Sequence, residues 1–345
     1  MKIKNFLIGE NKPCFIIAEA GVNHNGSVET AKKLIDAAVS SNANAIKFQT
    51  FKSEDVVSKN VDIAEYAKKN IKKNIKQIDM IKKYELKYDD FVSLKNYCDK
   101  KNMVFLSTPH SFDAIDFLDD LIPAYKFSSG DLTNIPSLVY AAKKRKPMIL
   151  GTGMSTLKEV KFAVDSIKKT GNKNIVVLHC TTNYPCPIDE VNLNAMLTMK
   201  KKLDCMVGYS DHTLSLTVPV MARSLGAVII EKHLTLNRYS HGPDHKASLE
   251  PDEFKLMVDE IRKAEKALGS DKKNPTLSEK KIIKYSRKSI VAKKMIKKDE
   301  IIKNDMLAIK RPGNGLSPSL IEKVIGKKAK RDIEQDELIS WSNLK

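Results

Sequence analysis

Side chains able to do anion-binding, acid–base or metal chemistry recur at the ends of short apolar runs in this sequence. Glu19 and Asn23 come first, then Lys47 and Gln49, Thr108, Lys126 with Ser129, Thr152, His179 with Tyr184, His212, and finally Glu231 and His233. A lysine inside an apolar run needs an anionic partner, because an unpaired buried charge is strongly unfavourable. Lys47 and Lys126 therefore point to an anionic ligand, the alternative for Lys126 being a structural pair with Asp131 or Glu19. His212 in GYSDHT and His233 in EKHLT end consecutive runs. On neighbouring elements their imidazoles can share one divalent ion and leave open positions, as a catalytic site requires. The alternative is two hydrogen-bonding histidines in polar surroundings.

Eight such runs occur, at 13–21, 44–50, 103–110, 124–131, 147–154, 174–185, 205–213 and 227–235. They are hydrophobic on successive residues, as strands buried on both faces are. Between them lie segments with apolar residues at helical spacing, such as 27–42, 88–101, 156–170 and 191–202. Eight strands alternating with helices over about 250 residues predict an α/β fold, the (β/α)₈ TIM barrel, whose strand ends all meet at one mouth. A doubly wound open sheet is the competitor, but it has no reason to stop at eight units. Residues 51–86 form a Lys-rich insertion, expected as a helix pair over the mouth or rim. Beyond a last barrel helix at 251–268 the pattern turns to short segments with turn residues. The expected organisation is a barrel at 1–270, a linker at 271–285 and a small β-rich domain at 286–345.

The net charge of +18 invites a nucleic-acid reading, but only seven of the 60 basic residues are Arg, and aromatic residues make up 6% of the chain. Base readout and stacking favour Arg and aromatic side chains, so scattered Lys reads as solvated helix faces and a basic mouth for an anionic substrate. No run of 18 apolar residues suggests a membrane span, and the first twenty residues lack a signal-like region. Five cysteines without a CxxC pair read as reduced thiols, so a cytoplasmic location is expected.

The strings AEAGVNHNGS, KFQTF, STP, SGD, TGM, HCTTNYPCP, GYSDHT, EKHLT and GPDHKASLEPDE resemble the bacterial sialic acid synthase family, in its order and approximate spacing. The tail, from RKSIVAKK to KRPGNGLSP, resembles that family's C-terminal antifreeze-like domain, also called SAF. The resemblance implies condensation of phosphoenolpyruvate with the open-chain aldehyde of an N-acylated mannosamine-type sugar. It also implies a divalent metal, Mn²⁺ or Mg²⁺, and no organic cofactor. By the same resemblance Lys47, Thr108, Lys126, Ser129 and Thr152 face phosphoenolpyruvate, and His212 and His233 hold the metal. Glu19, Gln49, Asp131, Tyr184, Glu231 and Asp244 face the sugar, and Arg311 reaches it from the partner subunit of a domain-swapped homodimer. Glu19, Lys47, Lys126, His212 and His233 are then the catalytic set, with Glu19 moving a proton at the sugar's ring or aldehyde oxygen.

The chain departs from the family pattern at Gly151, Asp131 and Thr182, and the last of these bears on the acyl group or C4 of the sugar. The expected acceptor is N-acetylmannosamine, giving N-acetylneuraminate. The alternatives are 2,4-diacetamido-2,4,6-trideoxymannose, giving diacetyllegionaminate, and the altrose isomer, giving pseudaminate. Two further readings compete. A metal-dependent hydrolase would use His179, His212 and His233 but leaves both lysines unexplained. An ice-binding tail would need a flat, weakly charged face, which the basic run at 327–331 does not offer.

Overall fold

The computed structural model describes residues 1–65, 68 and 75–345. They divide into two compact units, Met1–Gly269 and Ser270–Lys345. In the first, the described residues form eight parallel strands: β1 Phe15–Gly21, β2 Ala45–Thr50, β3 Val104–Pro109, β4 Tyr125–Phe127, β5 Met148–Gly151, β6 Ile175–His179, β7 Met206–Asp211 and β8 Ile229–His233. Their hydrogen-bonded order is β3-β2-β1-β8-β7-β6-β5-β4, and β3 lies alongside β4, so the sheet curls into a (β/α)₈ barrel. Helices α1 Val28–Ser40, α2 Tyr88–Lys100, α3 Phe112–Asp119, α4 Ile135–Lys143, α5 Leu157–Lys169, α6 Asn194–Lys202, α7 Thr217–Ser224 and α8 Pro251–Leu268 follow the strands. Their starts are chemically marked. The Ser27 side chain accepts from Thr30 N–H ahead of α1, Thr156 and Glu159 form a reciprocal cap on α5, and Pro251 opens α8.

Side chains alternate between two faces along each strand. Outward residues such as Ile16, Ala18, Ile46, Phe48, Tyr125 and Phe127 pack against the helices. Inward residues such as Phe15, Ile17, Ala45, Val104, Leu106, Ile149, Val176 and Ile229 fill the lower barrel, joined by Ile3 and Ile8 around a short hairpin of Lys2–Ile3 with Phe6–Leu7. The next inward position toward the C-terminal end is polar on several strands: Glu19 after Ile17, Lys47 after Ala45, Thr108 after Leu106, and Glu231 after Ile229. Gly208 occupies a crowded place on β7, where a Cβ would come within 2.5 Å of the Ile229 carbonyl oxygen.

The strands are shorter than the apolar runs that announced them. The run at 124–131 is strand only to Phe127, after which Ser129–Asp131 forms a tight helical turn, and the run at 174–185 ends as strand at His179. The insertion expected as a helix pair contains, in its described residues, single-turn helices at Ser53–Val56 and Gln77–Ile81; residues 66, 67 and 69–74 of it lie outside the described residues. Glu85 pins the insertion by accepting from both Ser53 N–H and Oγ.

In the second unit, α9 Leu277–Ser286 occupies much of the stretch expected as linker, because Thr276 and Glu279 cap it reciprocally. Strands β9 Ser289–Ala292 and β10 Leu307–Lys310 pair antiparallel, and bridges such as Ile296 to Ile333 and Val291 to Leu338 complete a small β-rich body. Its core holds Ile290, Ile302, Val324, Ala329 and Ile339.

One charge pair lies wholly inside the barrel wall. Lys232 Nζ sits 2.6 Å from Asp211 Oδ2, both side chains have no solvent exposure, and Lys232 also donates to the Thr213 carbonyl. Asp211 in turn accepts from Tyr209 Oη and Thr213 N–H. Removing one partner leaves the other charge buried alone, so Lys232→Met is expected to lower stability by about 3–5 kcal/mol. Urea unfolding measures this, and a loss below about 1 kcal/mol would show that the pair does not clamp β7 to β8.

Candidate active site

Four charged side chains from four strands meet at the barrel mouth. Lys47 Nζ on β2 lies 2.8 Å from the Glu19 carboxylate on β1 and 3.9 Å from Glu231 on β8; Lys126 Nζ on β4 lies 3.1 Å from Glu231. None of the four is more than 5% exposed. Thr108 Oγ1 accepts from Lys47 at 3.1 Å, Ser210 Oγ donates to Glu231 at 3.1 Å, and Gln49 Nε2 donates to Glu19 at 3.3 Å. An ammonium carries three donors, and Lys126 spends one on Glu231 among the described residues, which leaves donors for a bound anion.

Burial pushes the Glu19 carboxyl up to about 7, against the pull of Lys47. Burial acts the same way on Glu231, but Lys126 and Lys47 outweigh it and hold that carboxyl below its usual value. One carboxyl of the pair thus keeps a proton near neutrality while the other stays ionised, the separation expected of an acid–base site. Asp244, buried above Gly21, is raised by burial to about 6. Gly21 has a φ of +51°, and a Cβ there would lie 3.2 Å from Glu19 Oε1 and 3.6 Å from Asp244 Oδ2. The bare glycine lets both carboxyls and Gln49 converge.

His212 and His233 stand with ring centroids 5.5 Å apart. His212 Nδ1 is 2.6 Å from the Thr181 carbonyl, which fixes the proton on Nδ1 and leaves the Nε2 lone pair available. His233 Nδ1 is buried with no hydrogen-bond partner among the described residues. Burial drives His212 down to about 4 and His233 well below its usual value, so both rings are neutral bases at pH 7. These features fit a divalent cation: two neutral imidazoles, one oriented by a backbone carbonyl and the other with an orphaned nitrogen. Among the described residues no cluster of three His, Cys, Asp or Glu forms, so a cation here would complete its coordination with water or substrate. The Tyr184 ring covers the pair, 4.1 Å from His212 and 5.5 Å from His233.

These groups line one cavity of about 250 Å³. Of the residues marked in the sequence, Glu19, Lys47, Gln49, Thr108, Lys126 and Ser129 border it, as do Tyr184, His212, Glu231, His233 and Asp244. The other marked residues do not. The Thr152 hydroxyl donates to the Leu178 carbonyl at 2.8 Å, because the chain turns at the end of β5 and directs it back to β6. The Asp131 carboxylate sits behind the wall, accepting from Ser128 Oγ at 2.7 Å and facing His110 Nδ1 at 3.4 Å. Arg311 belongs to the second unit, where it is exposed in a turn after β10. His179 is tied by Nε2 to the Val191 carbonyl at 2.9 Å, outside the cavity.

Sequence reasoning missed Cys180, Ser210 and His110, all on the wall. Ser210 was legible, being two residues before His212 and so on the same face of β7. It also missed the apolar side of the mouth, built by Phe51, Val57, Met80, Ile81 and Tyr84 of the insertion. Gly151 lines the cavity, and a Cβ there would press on Ser129 Oγ at 3.0 Å.

The NeuB family model matches residues 34–273, and the SAF domain model matches 287–345. The chain belongs to the NeuB family, the sialic acid synthases. It is 45% identical over 331 residues to the N,N'-diacetyllegionaminic acid synthase of Campylobacter jejuni, covering 95% of this chain and 99% of that one. It is 42% identical over 342 residues to the enzyme of the same name from Legionella pneumophila, covering 97% and 96%. Among solved structures, the N-acetylneuraminic acid synthetase of Leptospira borgpetersenii superposes with a TM-score of 0.74 at 36% identity, over 82% of this chain and 94% of that one. The protein is thus an enzyme of sugar-acid synthesis, a transferase on a TIM barrel with a SAF domain. No helix among the described residues is long and apolar enough to cross a membrane.

For a synthase of this family the buried carboxyls come at a cost to stability. Asp244 titrates at 3.8 when unfolded and about 6 when folded, so the folded state binds the extra proton between those values. Its stabilising contribution is complete below pH 3.8 and is lost as pH rises through 6. Asp244→Asn is therefore expected to melt a few degrees higher relative to the parent at pH 7.5 than at pH 4.5. Thermal melts of both proteins at the two pH values decide; a difference independent of pH would place Asp244 in water.

Proposed function

We propose that this enzyme joins phosphoenolpyruvate to the open-chain aldehyde of an N-acylated mannosamine-type sugar, releasing phosphate and a nine-carbon 2-keto sugar acid. The observation that carries the reading is the floor of the cavity, where Lys47 and Lys126 lie buried between Glu19 and Glu231. In the reaction C3 of phosphoenolpyruvate bonds to the aldehyde carbon, the aldehyde oxygen takes a proton, and water supplies the keto oxygen at C2 as phosphate departs. Lys47, Lys126, Thr108 and Ser129 bind and orient the anion. Glu19, which keeps its proton to about pH 7, donates to the aldehyde or ring oxygen, while Gln49, Asp244 and Tyr184 hold the sugar. His212 and His233 would hold Mn²⁺ or Mg²⁺, which acts as a Lewis acid on the aldehyde oxygen when bound.

For the acceptor we favour 2,4-diacetamido-2,4,6-trideoxymannose over the N-acetylmannosamine expected from the sequence. Two observations support this. Two relatives at 42% and 45% identity carry the diacetyllegionaminic name, and the insertion gives the mouth an apolar side suited to a 6-methyl group and a second acetamido methyl. The five cysteines form no disulfide, in keeping with a reducing cytoplasm.

Phosphate release with phosphoenolpyruvate and Mn²⁺ tests the reading, with both sugars and the altrose isomer as acceptors. Turnover is expected to be highest with the diacetamido mannose sugar and to fall at least about a hundredfold in Lys126→Ala and in His212→Ala. Phosphate release that does not require a sugar would overturn it.

We also infer a domain-swapped homodimer in which Arg311 of the partner subunit completes each cavity, supported by its exposed position in a Gly/Pro turn. Two inactive variants, Arg311→Ala and Lys126→Ala, mixed after separate unfolding and refolded together, should then recover about a quarter of the parental activity, because half of the dimers are mixed and each has one intact site. No recovery would show that Arg311 does not act across subunits.

A further inference from the structure

His110 stands where nothing in the resemblance assigns a role. It follows Pro109 at the end of β3, two residues beyond Thr108, and its ring borders the cavity with 15% of the side chain exposed. Its Nδ1 faces Asp131 Oδ2 at 3.4 Å. The same Asp131 oxygen accepts from Ser128 Oγ at 2.7 Å, so the carboxylate is held from two sides. Phe51 meets the His110 ring edge-on, at a centroid distance of 6.1 Å. The ring is therefore fixed by a carboxylate behind it and an aromatic beside it, and Nε2 has no partner among the described residues. Ser128 and Ser129, from the neighbouring strand end, border the same cavity as Thr108 and Lys126.

We propose that His110, oriented by Asp131, is a further binding residue for phosphoenolpyruvate, donating from Nε2 to an oxygen of this anion. The proposal rests on the reading of the cavity as a phosphoenolpyruvate site. It reassigns Asp131 from the sugar, as expected in the sequence, to a positioning role behind the anion. The arrangement suits an anion rather than a sugar hydroxyl. With Asp131 holding the ring at Nδ1, an N–H at Nε2 makes a hydrogen bond to an ionised phosphate or carboxylate oxygen.

The test is steady-state kinetics of His110→Phe, Asp131→Asn and Asp131→Glu, with phosphoenolpyruvate and sugar varied separately and thermal melts as a control on folding. His110→Phe is expected to raise KM for phosphoenolpyruvate about tenfold, with the sugar KM and kcat within about twofold of the parent. Asp131→Asn should shift the same constant by about three- to fivefold, and Asp131→Glu should restore part of it, which a merely structural role would not do. An unchanged phosphoenolpyruvate KM in a folded His110→Phe, or a rise confined to the sugar KM, overturns the proposal while leaving the reaction intact. A parent enzyme that consumes no phosphoenolpyruvate with any of the three sugars overturns the reading of the cavity and this proposal with it.

Discussion

Two ammonium groups and two carboxyl groups, drawn from four strands and shut away from solvent, are the constraint around which this enzyme is built. In the order Glu19, Lys47, Glu231, Lys126 acidic and basic groups alternate, so each ammonium has a carboxyl partner within 4 Å. Such a cluster adds little to stability, since the desolvation of its ions offsets most of their attraction. What it supplies is a prepared set of donors whose positions are fixed before an anion arrives. Most of the other polar choices near the mouth follow from keeping it satisfied. Thr108 and Ser210 add hydrogen bonds to Lys47 and Glu231, Gln49 orients Glu19, and Gly21 withholds a side chain that would separate the carboxyls.

The barrel provides the distances by its register. Glu19 on β1 lies opposite Lys47 on β2 and His233 on β8, and Glu231 opposite Ser210 on β7. Because inward positions recur every second residue, an apolar layer below and a polar layer above can be written into the same strand without conflict. The apolar layer keeps the floor rigid and dry. The buried Lys232–Asp211 pair serves the outer face of the same two strands, one residue away from each of the two histidines that could share a cation. Charge is thus used twice at β7 and β8, on the inner face for chemistry and on the outer face for holding the strand ends together.

The insertion and the loops add what the barrel cannot. Phe51, Val57, Met80 and Tyr84 cover one side of the mouth with carbon, opposite the polar floor. A ligand with an anionic end, hydroxyls and methyl groups matches that division. The His245 ring joins the loop beyond β8 to the loop beyond β1, bonding Thr235 Oγ1 through Nδ1 and approaching Asn25 Oδ1 through Nε2. Asn23 Nδ2 reaches the Leu234 carbonyl and Ser248 Oγ across the same junction. These bonds hold Asp244 over the cavity from a loop that would otherwise be a solvated turn.

The linear chain was sufficient to determine the eight strands, the placing of chemistry at their ends and the identity of most polar residues of the cavity. Buried parallel strands are written as local apolar runs, and a lysine within such a run has to be explained wherever it occurs. Strand limits, the direction of individual side chains and partners distant in sequence were decided only in three dimensions. Thr152 and Asp131 were marked for the ligand by the family resemblance, yet one hydroxyl turns to the Leu178 carbonyl and one carboxylate to His110, choices set by turns whose dihedral angles no periodicity records. The helix at 277–286 was likewise hidden by its exposed, lysine-rich composition, since capping rather than an apolar stripe defines it. The apolar side of the mouth could not be read either, because short single-turn helices carry no period. Sequence thus fixes which groups are available and on which strand, through local patterns of two and 3.6 residues. Which of them face one another across the cavity depends on contacts between segments distant in the sequence, and only the closed barrel settles those.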